Sequence, residues 1–136
     1  MPLLEQVLEK NPEKVRIVFK NFPLRSHPFA LKAATAAMAA GKMGKFWEFH
    51  DLLFQNHDRI NDEKISEIAT TLGLDQETLD KDMQDPEIGQ QIRRDFQAGI
   101  DAGVRGTPTV FINGKLLRDR SPEGLQRAVD EALAKK

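Results

Sequence analysis

The stretch Gly103-Val104-Arg105-Gly106-Thr107-Pro108-Thr109-Val110-Phe111-Ile112-Asn113-Gly114-Lys115-Leu116-Leu117 decides the fold. Thr109 to Ile112 is rich in β-branched and aromatic residues, and Asn113-Gly114 supplies the two adjacent residues that tolerate positive φ in the tight turn between antiparallel strands. The pattern predicts a β-hairpin. On its C-terminal side, Ser121-Pro122 caps a last helix with Leu125, Ala128, Val129, Ala132 and Leu133 on its inner face.

Upstream of the hairpin the texture is helical. Asp85-Pro86 opens a helix in which Ile88, Ile92, Phe96 and Ile100 recur every fourth residue, because proline suits the first helical position. Asp75 caps a short helix carrying Leu79 and Met83. Asn61 precedes Ile65, Ile68, Ala69 and Leu72, with Gly73 just past the last periodic residue. Phe46, Phe49, Leu52 and Leu53 follow the three-four spacing of a buried face, which assigns Phe46, Trp47 and Phe49 to the core rather than to a cofactor box. Residues 28–40 form an alanine-rich helix that lets another backbone approach closely and ends near Gly41 or Gly44.

Further out, Val15-Arg16-Ile17-Val18-Phe19 lies between Pro12 and Asn21-Phe22-Pro23 and predicts a strand. Leu3, Leu4, Val7 and Leu8 predict a helix stopped at Asn11-Pro12. Nothing before Pro2 can cap that helix, so the chain is expected to begin inside one. A lone strand and a hairpin must share a sheet if the strand is to pair its backbone groups. The expectation is one α/β domain, residues 1–136, with a helical subdomain inserted at residues 28–100.

Composition removes many functions. A chain of 136 residues, 40% hydrophobic and 30% charged, suits one globular domain. Its 20 lysines and arginines against 21 acids give a net charge of −1, so no global field selects nucleic acid or an anionic membrane. The apolar runs are interrupted by charge, and the N-terminus lacks the pattern of a signal peptide. The sequence has no cysteine, which removes disulfides, thiolate metal sites and every cysteine nucleophile. Of the three histidines, His50 and His57 are seven apart, about 10 Å along a helix and too far to share a metal ion. Both are expected at the surface or half-buried, while His27 reads as a helix-start residue. Asp80, Asp82 and Asp85 read as a solvated face. No metal or cofactor is expected.

Four motifs in order carry a family resemblance: Lys20-Asn21-Phe22-Pro23-Leu24; His27-Pro28 with the alanine run; Gly44-Lys45-Phe46-Trp47 with His50 and Leu53-Phe54; and Gly103 to Thr109 with Phe111-Ile112-Asn113-Gly114. Together they resemble DsbA-like thiol–disulfide oxidoreductases, essentially end to end. The resemblance implies a thioredoxin-like fold with a helical insertion, truncated at the N-terminus. It implies a Cys-x-x-Cys pair opening the first helix and a cis-proline facing it. Thr107-Pro108 matches the cis-proline loop, whereas the cysteine pair and the strand before it have no counterpart.

The resemblance therefore implies a family member that is redox-inactive as given, since exchange needs a thiolate and no other side chain here replaces sulfur. It also implies a substrate-binding rim of Arg105, Gly106, Thr107 and Pro108, where the backbone pairs with an extended or unfolded polypeptide. A non-catalytic polypeptide-binding module is the alternative function. The family's glutathione-dependent or isomerase branch is a third reading, and it needs a nucleophile this chain lacks. Relatives act mostly in oxidising compartments such as the periplasm. The absent strand would leave two rows of unpaired backbone groups, flanking residues 15–19 and 108–112. Two closures are expected: direct pairing of those strands, or a homodimer.

Overall fold

The computed structural model describes residues 2–23, 29–106 and 109–134. In chain order the elements are α1 (Pro2–Lys10), α2 (Ala30–Lys42), α3 (Phe46–Gln55), α4 (Asp62–Thr71), α5 (Gln76–Met83), α6 (Pro86–Asp101), β1 (Phe111–Ile112), β2 (Lys115–Leu116) and α7 (Pro122–Ala134). They form two compact units, one of residues 20–103 and one joining residues 1–19 to 104–136.

In the helical unit, short polar side chains set the starts of three helices. Asn61 accepts from the Lys64 N–H at 2.8 Å, Asp75 from Thr78 at 3.3 Å and Asp85 from Glu87 at 3.0 Å. Each cap satisfies an amide the helix cannot. Gly73 ends α4 at φ +71°, which lets the Leu74 N–H reach the Ala69 carbonyl at 2.9 Å and close the last turn. Helix α2 is the hub, packing against α3, α4, α5 and α6. Ala36, Ala39 and Ala40 are fully buried there, so their small side chains set how near the neighbouring helices come. Phe49, Leu79 and Ile92 fill the space between.

Two sequence expectations for α3 are corrected. Trp47 is 43% exposed rather than a core residue, because Phe49 takes the inward position of that turn. His50 is buried at 5% exposure, with its ring among Phe46, Trp47 and Phe54 at centroid distances of 5.8, 5.7 and 5.0 Å. Burial holds its pKa below the usual histidine value, since the charged ring would lose hydration. A depressed histidine pKa means the unfolded chain binds the proton more readily, so stability is full above about pH 6.5 and falls as pH drops through that value. Urea midpoints should therefore be lower at pH 5.5 than at pH 7.5, with the difference reduced in His50→Gln. An equal difference in both proteins would remove His50 as its source.

Asp85 is likewise not a simply solvated acid. It is half-buried, caps α6 and pairs with Lys42, and that pairing, with the Glu87 amide, holds its carboxyl below the ordinary carboxylate range.

In the second unit, Val7 of α1 packs with Leu125 and Val129 of α7 into a small apolar cluster. Leu4, Val15, Ile112, Leu117 and Leu133 border it. Asn113 at φ 49° and Gly114 at φ 82° form the tight turn that brings Phe111 opposite Leu116 and Ile112 opposite Lys115. Ser121 accepts from the Gly124 N–H at 3.0 Å and starts α7.

Among the described residues the sheet has only these two strands. Among the described residues, the strand expected at residues 15–19 does not form and its direct pairing with the hairpin is not found. Its side chains nonetheless alternate, with Val15, Ile17 and Phe19 half-buried and Arg16 and Val18 exposed. The segment has the periodicity of a strand and no ladder, because a strand is defined by its neighbour as much as by its own residues.

Candidate functional site

The rim expected from the sequence is partly in view. Arg105 is exposed and Gly106 half-buried, and the Gly106 carbonyl accepts from the Thr109 hydroxyl at 2.6 Å, tightening the turn into the hairpin. Thr107 and Pro108, including the expected cis bond, lie outside the described residues. The Val110 carbonyl accepts from the Leu117 N–H at 2.9 Å. Antiparallel ladders alternate, so the amide and carbonyl of Phe111 point to the opposite, outer edge of the hairpin. That edge adjoins Arg105 and Gly106 along the chain, and Phe111 itself is 39% exposed.

The helical unit holds a polar centre that its hydrophobic periodicity hides. Asp95 of α6 is 4% exposed and Asn21 is 3% exposed. One Asp95 oxygen accepts from the Asn21 backbone N–H at 3.0 Å and from its side-chain amide at 2.9 Å. The other accepts from Gln91 at 2.7 Å and lies 3.9 Å from the Lys20 ammonium. Phe22 stacks on Phe96 at 4.6 Å, so two successive residues of α6 hold two successive residues of the Lys20-Asn21-Phe22-Pro23 motif. Such a buried carboxylate persists only when its lone pairs are satisfied. Its place between Ile92 and Phe96 on an otherwise apolar arc was the available signal.

Among the described residues, no group of three or more His, Asp or Glu is placed to hold a metal ion, and no helix is long and apolar enough to cross a membrane. With no cysteine in the sequence, the chain offers no nucleophilic thiolate sulfur.

A helix and extended segment, then a helical unit, then a β-hairpin and closing helix, make up the class of thioredoxin-like oxidoreductase domains with a helical insertion. The chain belongs to the DSBA-like thioredoxin domain family, whose model matches residues 2–130. A thioredoxin-like oxidoreductase from Silicibacter pomeroyi superimposes with a TM-score of 0.86 at 29% identity, covering 98% of this chain and 77% of that one. The thiol-disulfide exchange protein alpha-DsbA2 from Wolbachia pipientis gives 0.86 at 26% identity, covering 96% and 72%. Among curated proteins, the Na(+)/H(+) antiporter NhaA 3 of Salinispora tropica is 38% identical over 124 residues, and NhaA of Herminiimonas arsenicoxydans is 32% identical over 120. Each match takes in 88% of this chain but 19% of the relative, so the chain spans about a fifth of the length of those antiporters.

Proposed function

We propose that this chain carries out no thiol–disulfide exchange itself and serves its family's chemistry by holding an extended polypeptide along residues 105–108. The observation that carries this is the absence of cysteine from a chain that matches the family over residues 2–130. Exchange runs by attack of a thiolate on a disulfide sulfur, and hydroxyls, amines and carboxylates cannot take that part. What the family fold retains here is the turn before the hairpin and its outer edge, where main-chain bonds bind an extended segment with little sequence preference.

Titration of the 15N-labelled chain with a reduced, alkylated and therefore unfolded protein tests the binding. Amide shifts at Arg105, Gly106 and Thr109 are expected. Unchanged amides there at saturating ligand would end this reading.

A further inference from the structure

The sulfur of this chain resides in its four methionines. A thioether has no proton to lose and takes no part in disulfide exchange, but its lone pairs accept an oxygen atom from a peroxide. Met38 of α2 is half-buried at the border of the helical core, and its sulfur accepts from the Asn21 side-chain amide at 3.5 Å. Met43 and Met83 are half-buried at the same border, and among the described residues no hydrogen-bond donor reaches the sulfur of either.

Asn21 ties the Met38 sulfur to the buried polar centre. Its side-chain amide directs one hydrogen at that sulfur and the other at an Asp95 oxygen 2.9 Å away. The residue is 3% exposed and its backbone N–H also donates to Asp95, at 3.0 Å, so it has little freedom to turn away. A thioether is a weak acceptor, whereas a sulfoxide is polar and its oxygen accepts strongly. The 3.5 Å between sulfur and nitrogen has no room for that oxygen, because an N–H···O bond alone spans about 2.7–3.2 Å before the S–O bond is added. Helix α2 is held by four other helices, while Asn21 lies in an irregular segment, so the segment is what yields.

The same amide favours the chemistry. A sulfur lone pair attacks one oxygen of hydrogen peroxide, the O–O bond breaks, and the other oxygen departs as hydroxide, which takes the proton of the transferred oxygen and becomes water. Sulfur is oxidised by two electrons and the peroxide is reduced by two. A donor placed where negative charge gathers lowers such a barrier, and sulfur keeps a second lone pair with which to react.

We propose that Met38 is a reversible oxidation site for hydrogen peroxide, and that its sulfoxide, by displacing the Asn21 side chain, loosens residues 20–23 from Asp95. A methionine sulfoxide reductase reverses the step, with a dithiol oxidised to its disulfide and the oxygen released as water.

The test exposes the full chain to hydrogen peroxide and follows each methionine by mass in tryptic peptides, in which cleavage at Lys42 separates Met38 from Met43. Met38 should gain oxygen about ten-fold faster than Met43 or Met83. The Asn21 backbone amide should then exchange faster with solvent, and a sulfoxide reductase should restore the slow exchange. Met38→Leu, a substitution of similar volume, should keep its Asn21 amide protected through the same exposure. Equal oxidation rates at the three methionines, or an unchanged Asn21 amide once Met38 is oxidised, would overturn the proposal. So would the same loss of protection in Met38→Leu, which would place its cause at another residue.

Discussion

Asp95→Ala is expected to destabilise the helical unit by roughly 2–4 kcal/mol, a large part of the 5–15 kcal/mol typical of a whole domain. Three hydrogen-bond donors and the Lys20 ammonium converge on this carboxylate, and the donors of Asn21 lie at a position only 3% exposed. Alanine would leave the Asn21 backbone N–H and side-chain amide buried without an acceptor, each at about 1–3 kcal/mol. Relief of the carboxylate's own desolvation offsets part of this loss. Lys20, 64% exposed at its side chain, returns to water at little cost. Asp95→Asn keeps one acceptor oxygen but turns an NH2 group towards existing donors, so its urea midpoint should fall between wild type and alanine. A midpoint for Asp95→Ala within error of wild type would mean that the Asn21 contact adds no stability. The stacked Phe22 and Phe96 would then be what holds residues 20–23 on α6.

The sequence was informative wherever structure is decided locally. The caps at Asn61, Asp75, Asp85 and Ser121 and the Asn113-Gly114 turn depend on a few adjacent residues, and all five are found where their chemistry places them. Residues 15–19 show the limit. Valine, isoleucine and phenylalanine confer the alternation of a strand, but a ladder requires a neighbour that composition cannot supply. His50 and Trp47 show a second limit, since neighbouring positions on one helix exchange burial according to how the partner helices pack. Asp95 was passed over because helical periodicity was read from apolar residues alone, although its place on an otherwise apolar arc was legible; its partner Asn21, 74 residues away, was not.

Of the rim expected from the family motif, Arg105 and Gly106 stand at the turn into the hairpin, while Thr107 and Pro108 lie outside the described residues. Of the two closures expected, direct pairing with the hairpin is absent among the described residues.

The largest effect of all is expected in catalysis. A thiol at a helix N-terminus is made acidic by the helix dipole, and nucleophilicity in exchange depends on sulfur. This chain has 136 residues and none of them is cysteine. The fold alone can bring a substrate near the hairpin, but proximity accelerates a step only between groups that can react. Activity should thus be absent rather than reduced, and insensitive to pH across the range in which thiols ionise.

The most direct measurement is the rate at which a dithiol reduces the disulfides of a protein substrate, with this chain added over a hundred-fold range of concentration. The rate should equal that in buffer at every concentration, while a cysteine-bearing relative raises it in proportion. A rate that climbs with the concentration of this chain would contradict the account at its root.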